Sequence, residues 1–588
     1  MKLLQLLRRL WGHISPDRRT QLIFLLVLMV FVSFSEVVAI GAVLPFLTVL
    51  ADPEAVFAHE LVQPVVRFLR VSEPSELITP LTIGFASAAV FAGVMRIALY
   101  FFLIRLGEAI GADLGFQIYR RKLYQSYAAF IMNNSSEVIS TLATKVNQVV
   151  SGVITPLLNV TSSLIMSVAI LIILISINPV VALGGMVTFG FIYGVILTLT
   201  RKKMMLYSER ASVGSTQLIK VAQEGLGGIR DVLIDGTQPS FCKAYRNVDI
   251  PMRRALANSQ IISFTPRYVI ESLGMVLIAI AAYYLTGSEG GLVDSLPVLG
   301  ALAMGAQRLL PSFQQIYAGV SSLRRTQTML SDTLSLLDQP LPLYLFSNNQ
   351  PPLSFNYEVK LQGLSFSYHP DASKVLDNIN LNIKKGTRVG FIGITGSGKS
   401  TLLDLLMGLL HPSNGEVLVD GKAITEHNFR SWQAHITHVP QTIFLSDASI
   451  AENIAFGIPK ENIDMNRVRQ AAKAAQIAKT IESWELQYDS RVGERGVRIS
   501  GGQRQRIGIA RALYKQAKVL VLDEATSALD NNTEQAVMEA IEAVSGGDIT
   551  VLMVAHRLTT LQSCDKIVEL ESGVIKRQGS YDEIINEH

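Results

Sequence analysis

The sequence predicts a multi-domain chain, in which a six-helix all-α transmembrane domain is followed by an α/β domain built around a glycine-rich loop of the P-loop kind. Three observations carry that expectation. Hydrophobic residues make up 49% of the 588 and charged residues only 17%, against about 25% charged in an ordinary soluble domain. The excess is uneven: the long apolar runs fall in roughly the first 330 residues, and the rest has soluble composition. That second part contains a strand, a glycine-rich loop and a helix in succession. A net charge of +4 is small for the length, so no nucleic-acid-binding surface is implied. With two cysteines, Cys242 and Cys564, there is no disulfide framework or metal cluster, and both are expected to be reduced and structural.

A spanning helix needs about 20 mostly apolar residues. The stretches 22–50, 78–106, 153–177, 179–200, 262–285 and 291–320 qualify, the last being the weakest. The opening segment "MKLLQLLRRLWGHISPDRR" is basic and precedes an apolar run too long for a signal-peptide core, with no small-residue cleavage site before Leu50, and reads as an uncleaved elbow. Lys and Arg crowd into 107–152 and 201–261. The 51–77 loop is mostly acidic, and the 286–294 turn has no basic residue. The basic loops are therefore placed in the cytoplasm, together with both termini, in a multi-pass protein of the cytoplasmic membrane. These inner loops are too long and polar for turns and are expected to extend the spanning helices. The outer stretch "EAVFAHELVQPVVRFLR" reads either as a short amphipathic helix or as a packed loop. Prolines and asparagines in "DQPLPLYLFSNNQPPLSFNYEV" mark a linker. The expected organisation is thus 1–337 membrane domain, 338–354 linker and 355–588 soluble domain.

The segment "TRVGFIGITGSGKSTLLDLLMGLL" contains G-x-x-x-x-G-K-S from Gly393 to Ser400, between a strand and a helix as that motif requires. Its residues Gly393, Thr395, Gly396, Ser397, Gly398, Lys399, Ser400 and Thr401 are expected to cradle the phosphates of ATP with backbone N–H groups and a helix N-terminus. Lys399 would reach the β- and γ-phosphates, and the Ser400 hydroxyl would hold Mg2+. A second strand, "VLVLDEATSALD", ends in two carboxylates. Asp523 is assigned to the metal and Glu524 to the base that polarises the attacking water.

Between the two lies "VRISGGQRQRIGIARAL". Ser500, Gly501, Gly502 and Gln503 resemble the signature of ATP-binding cassette proteins. The other motifs of that family follow in order: Tyr368 is similar to its adenine-stacking aromatic, Gln441 in "HVPQTIFL" to its Q-loop glutamine, which also serves the metal, Asp530 in "SALD" to its D-loop aspartate, and His556 in "MVAHRL" to its switch histidine. Ile499 stands where the family usually has Leu, an isosteric change expected to matter little. The resemblance covers the chain from about residue 355 onward. It implies a P-loop nucleotide-binding domain whose site is completed by the signature of a second cassette, hence a half-transporter that dimerises. The complete motif set favours a homodimer. Six spans followed by a cassette resemble the exporter type of the family, whose inner loops carry coupling helices, here near Tyr127–Val138 and Thr237–Val248. "RVGERG" at 491–496 resembles a loop that contacts them. Cassette closure would then turn the membrane half outward, and hydrolysis would reset it.

Charges inside the spans point to the cargo. Glu36, Arg96, Arg267, Glu271 and Arg308 lie in otherwise apolar runs, where an arginine costs at least about 2.5 kcal/mol and normally faces a bundle interior or water. The three arginines sit at middle to inner depth and suit an anionic group such as a pyrophosphate. A structural reading stands beside this: Arg267 and Glu271 are at i and i+4 and can pair, and Glu36 can neutralise Arg96 or Arg308. "SFSEVVAIGAVLPFLTVLADP", "PRYVIESLG" and "QRLLPS" resemble the membrane half of bacterial lipid-linked oligosaccharide flippases and polysaccharide-assembly exporters. This resemblance implies a polyprenyl-pyrophosphate-linked glycan as substrate. The alternatives are export of a lipid A-type lipid or of hydrophobic drugs on the same fold, and a nucleotide-gated channel or regulatory membrane protein.

Overall fold

The six predicted apolar stretches lie on long helices: Pro16–Gly41 continued by Val43–Ala51, then Ile78–Leu123, Thr155–Ile177, Pro179–Gly227, Gln238–Thr286 and Gly291–Arg325. The computed structural model describes residues 3–51, 53–58, 73–132, 135–177, 179–286, 291–341, 353–369, 371–493, 496–524, 531–545, 548–554 and 561–585. Asp530, His556, Glu494, Arg495, most of the linker and the outer segment from 59 to 72 lie outside them. Among the described residues, three helical stretches, 16–50, 74–123 and 138–176, are long and apolar enough to cross a membrane. Contacts divide the chain into two units, one comprising Met1–Tyr124 with Asn134–Pro340, the other Gln125–Asn133 with Leu341–His588.

Local chemistry explains the breaks in the helical unit. The first spanning helix stops at Gly41 because Pro45 follows four residues later; its ring conflicts with the carbonyl at i−4 and it lacks an N–H to donate. Pro266 lies inside Gln238–Thr286 and denies the Ile262 carbonyl its helical donor. The Tyr317 hydroxyl, from the sixth spanning helix, donates to that carbonyl at 3.0 Å, which restores the bond a bilayer interior demands. Close helix approach needs small residues. A Cβ on Gly305 would fall 2.4 Å from the Leu174 side chain, and one on Gly319 would fall 2.3 Å from Val160, so these two positions set the contact between the third and sixth spanning helices.

The described parts of the polar stretches 107–152 and 201–261 are helical as expected, with one feature that periodicity does not reveal. Thr141–Lys145 and Val150–Ile154 are π-helical turns, each widening the helix by one residue per turn. At the end of the first, buried Lys145 bonds Asp332 at 2.7 Å, and the Ser212 hydroxyl donates to the same carboxylate at 2.6 Å. The elbow is the amphipathic helix Leu3–His13, which buries Leu6 and Leu10 in a cluster with Leu330 and Leu334. Arg9 and His13 both bond Asp338.

The second unit contains two sheets. Strands β1 (Glu358–Phe366), β2 (Leu376–Lys384), β4 (Asn414–Val419) and β5 (Lys422–Ala423) form an antiparallel sheet in the order β2-β1-β4-β5. Strands β3 (Arg388–Ile392), β6 (Ile436–Val439), β7 (Val519–Asp523), β8 (Thr550–Val554), β9 (Lys566–Glu571) and β10 (Val574–Gly579) form the other, ordered β10-β9-β3-β8-β7-β6. From β9 to β6 it is parallel, and β10 pairs antiparallel at the edge. The short apolar runs of β3, β7 and β8 are continuous because both faces of a parallel sheet are covered. Their C-terminal ends carry the glycine-rich loop after β3 and Asp523 at the end of β7. Cys564 is buried, but Cys242 is exposed, which corrects the expectation that both are structural.

Candidate functional site

The loop after β3 is built by its glycines. Gly393 and Gly398 have φ of 143° and 100°, a region closed to most side chains. A Cβ on Gly393 would lie 2.2 Å from the Leu570 carbonyl oxygen and 2.8 Å from Ser397 Oγ. The backbone therefore curls tightly ahead of the helix Lys399–Leu406, whose free N–H groups form an anion cradle. Lys399 Nζ donates to the carbonyls of Gly393 at 2.7 Å and Ile394 at 2.9 Å. Burial lowers its ammonium from the ordinary value, and nearby Glu524 and Asp523 oppose that shift. Ser397 Oγ is buried without a hydrogen-bond partner. A phosphate fits both facts, offering oxygens to the ammonium and to the orphaned hydroxyl. Thr395 and Gly396 are exposed on the same loop, and Ser400 is exposed in the first turn of the helix.

Gln441, just beyond β6, donates through Nε2 to Glu524 Oε2 at 2.6 Å. That contact joins two candidates 83 residues apart. Glu524 has φ 51°, an unusual conformation for a side-chain-bearing residue, and its N–H donates to the Val554 carbonyl at 3.2 Å. With its NH2 on Glu524, Gln441 keeps an amide oxygen available. Together with the Ser400 hydroxyl and the Asp523 carboxylate, this makes a hard, all-oxygen donor set of the kind Mg2+ takes.

Tyr368 and Thr401 meet through their hydroxyls at 3.1 Å, and the Tyr368 ring stands edge-on to Phe366 at 5.0 Å while remaining 41% exposed. The signature forms a capping box: Ser500 Oγ accepts from the Gln503 N–H at 3.2 Å, and Gln503 Oε1 accepts from the Ser500 N–H at 2.9 Å. These bonds stay within the first turn of the helix Gly501–Lys515. Gly501 is open, with nothing near where a Cβ would stand. Ile499 packs partly buried against the neighbouring core.

Two residues escaped the motif reading. Asp404 lies on the helix that starts at Lys399, and its carboxyl is pushed up to about 6, first by burial and then by Asp523. Tyr127 begins the short helix Tyr127–Met132, which belongs to the cassette unit and packs Ala128 against its core. Its phenol is pushed up by burial and by the proximity of Asp404 and Tyr368. Neither residue had a local signal, since Asp404 comes five residues after Lys399 and so lies off its helix face. The other expected coupling stretch, Thr237–Val248, begins the helix Gln238–Thr286 in the helical unit.

In the spanning helices the charges fall into two groups. Glu36 is 1% exposed, and its two oxygens face Arg96 Nη2 at 3.2 Å and Arg308 Nε at 3.5 Å. Arg267 Nε bonds Glu271 Oε1 at 2.8 Å, and the same oxygen accepts from Gln314 Nε2 at 3.4 Å. Glu36 thus joins three helices, and Glu271 joins the fifth to the sixth.

Family comparisons agree with this architecture. The family model described as "ABC transporter transmembrane region" matches residues 21–289, and "ABC transporter" matches 376–527. The heterocyst differentiation ATP-binding protein HepA of Nostoc sp. is 30% identical over 479 residues, covering 80% of this chain and 76% of that protein. The chain belongs to the ABC transporter family. An ATP-dependent lipid A-core flippase of Alkalilimnicola ehrlichii is 28% identical over 549 residues, covering 91% of this transporter and 90% of the relative. A solved bacterial Atm1-family ABC exporter with ATP bound shares the fold at a TM-score of 0.78 and 24% identity, over 97% of this chain and 96% of that one. This ABC transporter therefore has the expected fold, a helical transmembrane domain of the exporter type joined to an α/β nucleotide-binding domain, and it drives export with ATP hydrolysis.

Proposed function

We propose that this ABC transporter works as a homodimer in the cytoplasmic membrane, termini inward, and flips an anionic glycolipid, a polyprenyl-pyrophosphate-linked oligosaccharide. The observation that carries the reading is that two guanidiniums, Arg96 and Arg308, share the single buried carboxylate of Glu36. Glu36 balances only one of the two, so the cluster keeps one net positive charge, and both arginines are at least a third exposed. Such a surplus is expensive unless something anionic visits it. A pyrophosphate accepts planar forks bidentately, and two copies of the chain would offer two forks each. Arg267 contributes less to this reading, since Glu271 holds it.

In the cassette, Glu524 would take the proton of the attacking water while Gln441 orients it, and Lys399 would hold the phosphates. Mg2+, when bound to Ser400, Gln441 and Asp523, would neutralise charge on the transferred phosphoryl group. Asp530 and His556 keep the roles their motifs imply. The open, capped signature at Ser500–Gln503 is what a second cassette would receive.

A second reading, transport of a lipid A-type lipid, is favoured by the name of the Alkalilimnicola relative. Both are phosphate-bearing glycolipids, so the arginines suit either. Stimulation of ATPase activity in purified protein separates the two: polyprenyl-pyrophosphate glycan should stimulate at lower concentration than lipid A, and neutral lipids or drugs should not stimulate. The reverse order would install lipid A as the substrate, and stimulation by neutral drugs alone would remove the anionic reading.

A further inference from the structure

A groove of about 470 Å³ opens between the first spanning helix and the second. The helix Pro16–Gly41 contributes Arg18, Gln21 and Phe24, and the helix Ile78–Leu123 contributes Phe102, Arg105 and Leu106. None of these carries a role in nucleotide chemistry or in the Glu36 cluster. The groove is graded in polarity. Phe24 lies six residues deeper than Arg18, about 9 Å along the helix, and on the neighbouring helix Phe102 likewise lies on the membrane side of Arg105. Both helices therefore place a guanidinium at the end that the distribution of basic loops makes cytoplasmic, with aromatic surface above it.

The two arginines are held differently. Arg18 Nε bonds Asp113 Oδ2 at 2.9 Å, and its Nη1 donates to Gln21 Oε1 at 3.0 Å, which fixes the fork at the groove mouth. Arg105 is exposed and lies over the Phe101 ring at 5.7 Å. Among the described residues it forms no ion pair. Phe24 is 71% exposed and Phe102 53%. An open slot with one uncompensated cation at its headgroup end and apolar walls toward the bilayer complements one class of molecule. Basic pockets between spanning helices on the cytoplasmic side take anionic lipid headgroups.

We propose that the groove between Arg18 and Arg105 is a binding site for an anionic phospholipid of the cytoplasmic leaflet, with Arg105 taking the phosphate and Phe24 and Phe102 bracketing an acyl chain. The proposal is independent of the transported substrate. It is tested on the full-length transporter in detergent by thermal shift on adding phosphatidylglycerol or phosphatidylcholine. Phosphatidylglycerol should stabilise the wild type at lower concentration than phosphatidylcholine, and Arg105→Gln should weaken the half-saturating concentration about fivefold, as expected for losing one interfacial cation. Should R105Q fail to fold, R105K keeps the charge while losing the fork and should weaken binding to a lesser degree. Equal shifts by the two lipids in the wild type, an undiminished shift in either variant, or the same shift with inorganic phosphate alone would each overturn it. So would efficient cross-linking of Arg105→Cys to a second copy, since the groove would then be covered by protein.

Discussion

Gln441 Nε2 and Glu524 Oε2 lie 2.6 Å apart. The Q-loop glutamine and the acid after β7 thus form one unit at the C-terminal edge of the sheet. The amide holds the carboxylate while Glu524 sits in a backbone conformation, φ 51°, that proteins keep mainly where function requires it. Glu524→Gln preserves shape and removes the proposed base, so phosphate release should fall by at least about 10²-fold while nucleotide binding persists. Hydrolysis at the wild-type rate would sink the assignment.

Glu36 is the hub of the intramembrane cluster. Its replacement by Gln leaves Arg96 and Arg308 without a carboxylate, and thermal unfolding in detergent should show a loss of about 2–3 kcal/mol, the low end for breaking a buried pair because the arginines are partly exposed. The triple change Glu36→Leu, Arg96→Met, Arg308→Leu should recover much of that stability but lose glycolipid-stimulated ATPase. Retained stimulation would make the cluster purely structural.

Lys145 ends a π-helical turn; its side chain is 4% exposed and meets Asp332 at 2.7 Å. Lys145→Met should destabilise the protein by about 3 kcal/mol, because Asp332 keeps its charge without a cation. Adding Asp332→Leu should restore most of the loss. A single variant as stable as the wild type would show that solvent already screens the pair.

His438, on β6, has its Nε2 buried without a partner, and burial pushes its imidazole down to about 4. Unfolded, it would titrate near 6.5. Between those values the unfolded chain binds more protons, so this group's contribution to stability is full above about pH 6.5 and is lost as pH falls toward 4. Asp404, pushed up to about 6, works in the opposite sense between about pH 4 and 6, so the test compares variants. His438→Phe should lose less stability than the wild type on acidification from pH 7 to 5. Parallel melting profiles would contradict the burial argument.

Much of the cassette was legible because its chemistry is local: the glycines at 393 and 398 and the box at Ser500 and Gln503 act within a few residues of chain. The six apolar stretches were legible because a bilayer imposes a length. Partners brought together by tertiary packing were less so. Pairing of Arg267 with Glu271 could be read from an i, i+4 spacing, but Glu36 could only be matched to one arginine or the other, and it takes both. The link from Tyr127 to Asp404 and Tyr368 joins segments more than 240 residues apart, and no periodicity encodes it. The π-helical turns are equally silent, since one added residue hardly disturbs an apolar pattern.

ATP hydrolysis at this site is proposed to move a phosphate-bearing glycolipid past Arg96 and Arg308. The most direct test is translocation in proteoliposomes, following the access of a glycan-specific enzyme to polyprenyl-pyrophosphate-linked oligosaccharide. The wild type should flip the lipid only with ATP, and flipping should be lost in both Glu524→Gln and the Arg96→Ala, Arg308→Ala double variant, with basal ATPase kept in the latter. Flipping that persists without the arginines, or that never exceeds the rate without ATP, would contradict it.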